Sequence, residues 1–171
     1  CLDREVVLIE LGGLAGALAP RLEVGVVTVV DAEGRLLGSW GEGRSRAEEA
    51  HLAPGYSWSE PASGTNGMGT ALQSRGVTVV RGPEHWCEGF QGLDCLGVPI
   101  IDPVTRSAVA AVNVSVPSGR LPAEGPARLR SVADHMHAML TTLARRRAAL
   151  LVETFDRRGP GLGGPTLVLD A

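Results

Sequence analysis

At 171 residues, with 44% hydrophobic and 20% charged side chains, the chain has the size and apolar content of one domain with a real core, unlike a disordered tail. Sixteen basic against nineteen acidic residues leave a net charge of -3. That sign opposes the positive footprint needed to neutralise phosphates, so no direct nucleic-acid contact by this chain is expected. Every basic residue is arginine, which excludes a lysine-dependent phosphate loop and a lysine Schiff base with pyridoxal phosphate.

Cys1, Cys87 and Cys95 are too few and too irregularly spaced for a disulfide framework, and neither a leader pattern nor a membrane-length apolar run is visible. A reducing cytoplasm and no membrane association are the expectation. The segment "CLDREVVLIELGGLAGALAP" spaces Leu2, Val6, Ile9, Leu14 and Leu18 near a helical period; Gly12 and Gly13 weaken its middle and Pro20 ends it. "VGVVTVVDAEGRLLGSW" sets two β-rich runs around Asp31 to Gly34, the pattern of a hairpin. Residues 44–53, "RSRAEEAHLA", read as helix up to Pro54 and Gly55. A short helix through Leu72 and Ser74 follows, capped by Ser63, Thr65 or Asn66 and ended at Gly76 by a left-handed exit. The strand "VTVV" comes next, then the irregular "RGPEHWCEGFQGLD", then two buried strands joined across Asp102–Pro103 and Thr105–Arg106. A long helix over 126–152 closes the domain, with Leu129, Val132, Met136, Met139, Leu143 and Leu150 as its apolar stripe. "ETFDRRGPGLGG" then reads as a linker and "PTLVLDA" as a lone strand. The sum is an α+β fold with a mostly antiparallel sheet.

Two places concentrate chemistry. His85, Cys87 and Cys95, with Glu84, Glu88 and Asp94 nearby, form the densest set of metal or redox ligands, but without the tight cysteine pair or four clear ligands of a zinc site. No metal or cofactor is expected, and a loop histidine beside a buried cysteine is the plainer reading. A nucleophilic cysteine stays open, provided His85 folds back over Cys87 or Cys95, and so does thiol–disulfide exchange between the two cysteines. The second place is "WSEPASGTNGMGTAL", residues 58–72. Its glycines do not make a dinucleotide fingerprint, because Leu72 stands where the third glycine belongs. What remains is a helix N-terminus whose free backbone N–H groups, with the hydroxyls of Ser63 and Thr65 and the amide of Asn66, can meet a small polar or anionic ligand, or an elaborate cap with none. His135 and His137 point to nearly opposite sides of a helix and do not chelate, and the "ARRRA" run reads as a solvated helix end.

Four motifs in order, Trp58–Ser59–Glu60, Gly64 to Leu72, Glu84–His85–Trp86, and Cys95 with Pro99, Ile100 and Asp102, together resemble the GAF domains of bacterial transcription activators of the acetoin-catabolism-regulator type. The likeness spans about residues 5–145. It departs at Leu96–Gly97–Val98, where those domains commonly have Ser-Ala-Ala, and at Asn113–Val114–Ser115, where they often have Asp-Leu-Ser. The resemblance implies a GAF-like central antiparallel sheet with helices packed on it, long N- and C-terminal helices, and a cavity roofed by the loops 58–70 and 82–94. It implies Trp58, Glu60, Thr65, Asn66, His85, Trp86, Cys95 and Asp102 as the ligand-binding set. The expected layout is a non-enzymatic sensory domain over 1–152, then a linker and the truncated start of a PAS-like domain over 153–171, in a piece of a longer regulator. A small-molecule effector and a homodimer through the terminal helices are its expected partners; Leu129, Met136, Leu143 and Leu150 recur at heptad spacing. The alternatives are a thiol-dependent, methionine sulfoxide reductase-like enzyme or redox sensor using Cys87 and Cys95, and a ligand-free dimerisation module.

Overall fold

A computed structural model of the chain describes residues 4–21, 25–41 and 52–158. Helix α1 (Arg4–Leu18) runs into a single 3-10 turn, Ala19–Arg21, that accommodates Pro20. Strands β1 (Val26–Asp31) and β2 (Leu36–Trp40) form the first hairpin. The short helices α2 (Glu60–Ser63) and α3 (Gly67–Ser74) precede β3 (Thr78–Arg81). Then come β4 (Leu93–Ile101), β5 (Ala108–Pro117) and helix α4 (Gly125–Arg158). The five strands lie in the order β2-β1-β5-β4-β3, every pair antiparallel. The α+β class with an antiparallel sheet therefore holds.

Both hairpins close as their turn residues dictate. At the first, Asp31 Oδ1 accepts from the backbone N–H of Glu33 (3.0 Å) and Arg35 (2.9 Å), while Gly34 takes φ +78°. The union of the hairpins is non-local: β1 pairs with β5 from Val26↔Ser115 to Asp31↔Ala110. This makes β5 the central strand.

Alternation along the strands sorts the sheet into two unlike buried faces. Val27, Val29, Leu96, Val98, Ile100, Val112, Val114 and Val116 pack against α1 and α4 in one apolar core. The opposite face carries Val26, Thr28, Val30, Cys95, Gly97, Ala111, Asn113 and Ser115, and α3 with its flanking loops covers it.

Several expected details differ. The stripe of α1 turns on Leu11 and Ala15, which are fully buried, with Leu14 and Leu18 half-buried; Ile9 is 72% exposed. Burial against a sheet needs a narrower face than the helical period suggested. The left-handed exit of α3 falls on Arg75 (φ +54°) rather than Gly76. Helix α4 continues through the expected linker start to Arg158. Its Leu129 and Met136 are buried against the domain's own sheet, so the first half of the heptad pattern is intramolecular. Leu143 is half-buried and Leu150 60% exposed. Of the helix expected over 44–53, residues 44–51 lie outside the described residues, and Leu52 and Ala53 are non-helical. The strand expected in "PTLVLDA" lies outside them too. Among the described residues no helix is long and apolar enough to cross a membrane.

Candidate functional site

The segment 56–58 runs beside the first hairpin: Leu36 N–H donates to the Tyr56 carbonyl (2.8 Å) and Trp58 N–H to the Gly34 carbonyl (2.6 Å). This delivers Trp58 to the sheet's polar face, where it is buried and tilts at 44° against Phe90, ring centroids 4.8 Å apart. Asn66 sits at the N-cap of α3. Its Oδ1 accepts from Met68 N–H (3.0 Å) and Gly69 N–H (2.9 Å), and its Nδ2 faces the Trp58 carbonyl (3.1 Å), the Gly64 carbonyl (2.8 Å) and Ser63 Oγ (3.2 Å). The amide is spent on holding the loop together.

The glycines around Asn66 serve close approach. A Cβ at Gly97 would lie 1.8 Å from the Gly67 carbonyl oxygen, and one at Gly67 would lie 2.3 Å from Asn113 Oδ1. The start of α3 therefore rests directly on β4 and β5, at two of the positions, Gly97 and Asn113, where the sequence departs from the resembling domains. Gly64, at φ +69°, gives Trp86 its seat: a Cβ there would meet the Trp86 side chain at 2.4–2.6 Å.

The second loop is fastened from below. Buried Asp94 accepts from Gly82 N–H (3.1 Å), Ser118 Oγ (3.1 Å) and Gly119 N–H (2.8 Å). The 3-10 turn Gly82–Glu84 then directs His85 inward, where it is 2% exposed, and Trp86 outward, where it is 80% exposed. Trp86 N–H reaches the Thr65 carbonyl (3.4 Å), so the loops 58–70 and 82–94 do meet over one face of the sheet.

Between them lies a hollow lined by Leu52, Trp58, Asn66, Gly67, Met68, His85, Phe90, Leu93, Cys95 and Ser115. Its volume is about 10 Å³, room for roughly one water molecule. Beneath it runs a hydrogen-bonded row across three strands: Thr28 Oγ1 to Asn113 Nδ2 (3.2 Å), Asn113 Nδ2 to Ser115 Oγ (3.0 Å), Ser115 Oγ to Cys95 Sγ (3.2 Å). Burial pushes the Cys95 thiol up to about 11, although the Ser115 hydroxyl and the Gly67 backbone act in the opposite direction. A thiol held protonated in this way is a poor nucleophile at neutral pH.

Of the eight expected site residues, Trp58, Asn66, His85 and Cys95 line the hollow. Glu60 accepts from Thr70 Oγ1, bracing α2 on α3, and Thr65 contributes its carbonyl to the Trp86 contact. Trp86 faces solvent and Asp102 is elsewhere. The Asp102 carboxylate caps the β4–β5 turn through Val104 N–H (2.7 Å) and Thr105 N–H (2.8 Å). At about 3.3 Å per strand residue, seven residues separate it from Cys95 by roughly 23 Å. Cys87 is exposed and Cys95 buried, both as free thiols. Among the described residues no group of three or more His, Cys, Asp or Glu side chains could hold a metal ion. Gly67, Met68, Phe90 and Leu93 lie in the expected roof loops without having been singled out, and Leu52 and Ser115 lie outside them. The polar alternation Asn113, Ser115 within an otherwise apolar strand was the available signal for the last.

The family model for the MimR N-terminal domain matches residues 23–121. The chain belongs to the MimR N-terminal domain family. A relative from Mycolicibacterium smegmatis, the propane 2-monooxygenase operon transcriptional activator MimR, is 29% identical over 130 residues, covering 72% of this chain and 22% of that protein. An uncharacterized 47.3 kDa protein in the thcA 5' region of Rhodococcus erythropolis is 33% identical over 94 residues, 53% of this chain and 21% of that protein. This MimR-family chain thus spans about a fifth of the length of the curated relatives it matches. Among solved structures, the E. coli DhaR(N)-DhaL complex contains a chain of the same fold, with TM-score 0.72 at 17% identity, over 90% of this chain and 53% of that one. The GAF domain/HD domain protein from Geobacter sulfurreducens aligns with TM-score 0.53 at 14% identity, over 79% and 92%. The fold of the MimR-family domain is accordingly GAF-like.

Proposed function

We propose that this chain is the non-enzymatic, cytoplasmic sensory domain of a bacterial transcriptional regulator of the acetoin-catabolism-regulator type, and that a small effector binds in the hollow between the loops 58–70 and 82–94. The observation that carries this reading is His85 Nε2. It is a buried polar atom with no partner among the described residues, on a ring that lines the hollow. Buried polar groups are rarely left unsatisfied without a functional reason. The relatives' names as transcriptional activators support the regulatory role.

The route from hollow to output is short. Cys95 and Ser115 face the hollow, while their neighbours Leu96 and Val114 on the same strands pack with Leu129 of α4. An effector that spreads the loops tilts β4 and β5 under the first turns of α4. It acts only through its different affinity for the two arrangements. The distal half of α4, with Leu143 and Leu150, would then carry the change into a homodimer. A thiol-dependent reductase is disfavoured by the buried, proton-retaining Cys95.

A second reading, an interaction module without a small ligand, is favoured by the small size of the hollow and by the protein complex in which the E. coli DhaR fold occurs. Thermal-shift screening against small ketones, alcohols, aromatic acids, cyclic nucleotides and metals separates the two. A ligand at one hundred times its Kd adds about 2.7 kcal/mol, a rise of roughly 5–10 °C for a chain of this size. Silence across the whole panel favours the interaction module.

A further inference from the structure

We infer that the hollow is built for a short-chain hydroxyl compound, with His85 Nε2 accepting the hydrogen bond of the ligand's O–H and the Cys95–Ser115 pair offering a hydrogen to its oxygen. The inference rests on the sensory reading above and names the ligand class.

The tautomer decides the polarity of the site. His85 Nδ1 lies 3.0 Å from the Gly82 carbonyl oxygen. A carbonyl only accepts, so Nδ1 carries the proton and the neutral ring presents a lone pair at Nε2. None of the lining residues is acidic. The unspent group of the hollow is therefore an acceptor, and it calls for a donor.

Cys95 and Ser115, in the same lining, offer the complement. Ser115 Oγ accepts from Asn113 Nδ2 (3.0 Å) and lies 3.2 Å from Cys95 Sγ. Between the hydroxyl and the thiol there are two hydrogens and one mutual contact, so one hydrogen is left to donate. A hydroxyl both donates and accepts, and so suits His85 and the Cys95–Ser115 pair alike. A ketone accepts only and sets its oxygen against the Nε2 lone pair; a carboxylate adds a charge the apolar lining does not compensate. The volume of about 10 Å³ takes the hydroxyl group as it stands. The carbon chain goes against Trp58, Leu93 and the half-buried Phe90, displacing the latter from its contact with Trp58.

Isopropanol and acetone are a stable alcohol and ketone pair of nearly equal shape and suit the test. The 171-residue chain, isotope-labelled, is titrated with each, and with acetate, while the His85 ring nitrogens are followed in long-range proton–nitrogen correlation spectra. Isopropanol is expected to move the Nε2 resonance saturably, half-saturating at a concentration at least about tenfold below that of acetone. Acetone or acetate saturating at an equal or lower concentration overturns the hydroxyl assignment and leaves the hollow a ligand site. No saturable response to any of the three also overturns it, and the sensory reading falls with it only if the wider thermal-shift panel is silent too. In a folded His85→Phe variant the alcohol preference is expected to disappear, and its persistence overturns the role of His85. If that variant does not fold, the wild-type titration decides alone.

Discussion

Asn66→Ala separates a structural amide from a ligand contact. In the ligand-free chain the side chain caps two backbone N–H groups of α3, Met68 and Gly69, and its Nδ2 serves the carbonyls of Trp58 and Gly64. Asn66 is 1% exposed, so water does not replace these bonds freely. Loss of an N-cap costs about 1 kcal/mol, and each buried group left unpaired costs about 1–3 kcal/mol. With partial relaxation the expected total is about 3–4 kcal/mol, or a fall in Tm of roughly 6–16 °C. Asn66→Asp keeps the acceptor for α3 but turns a carboxylate toward two carbonyls, so it rescues only part of the loss. The assay is thermal unfolding by circular dichroism without ligand. A fall of less than about 3 °C, together with loss of an effector response, would refute the structural assignment.

Other consequences can be checked in the same way. Gly97→Ala places a methyl 1.8 Å from the Gly67 carbonyl and should destabilise the domain by about 3 kcal/mol or more; a wild-type melt contradicts the seating of α3 on β4. Gly125→Ala meets Leu96 and Leu121 at 3.5–3.6 Å, ordinary contact beside a void of about 40 Å³, and should raise stability by about 0.5–1 kcal/mol in denaturant titration. Because folding raises the Cys95 thiol from 9.0 to about 11, the native state retains a proton that the unfolded chain loses. Stability should fall as pH rises from about 9 to 11, by about 2–3 kcal/mol, and Cys95→Ala should flatten that decline. Leu143→Arg is expected to abolish dimerisation in light scattering, and a wild type that is already monomeric contradicts the proposed pairing of α4.

What could be read in advance was local. Asp31 and Gly34 announce their hairpin because the turn chemistry is complete within four residues, and Asn66 announces a cap for the same reason. The pairing of β1 with β5 is written nowhere in either strand, since both are apolar runs whose partner is fixed by the packing of the whole sheet. Adjacency in a motif also misleads: His85 and Trp86 stand side by side, yet the turn pinned by Asp94 sends one inward and the other to solvent. Asp102 shares a motif with Cys95, but an extended strand carries it to the far end of the sheet. The heptad pattern of α4 mixes two duties, with Leu129 and Met136 covering the sheet and Leu150 left exposed.

A sensory domain of this kind must take up a ligand in the hollow beneath the two loops. Amide spectra of the chain, recorded against the same compound panel, test this most directly. A saturating ligand is expected to move the signals of Gly67, Met68, His85, Phe90, Cys95 and Ser115, together with those of the first turns of α4. No saturable change with any compound, or changes confined to residues away from the hollow, would contradict it.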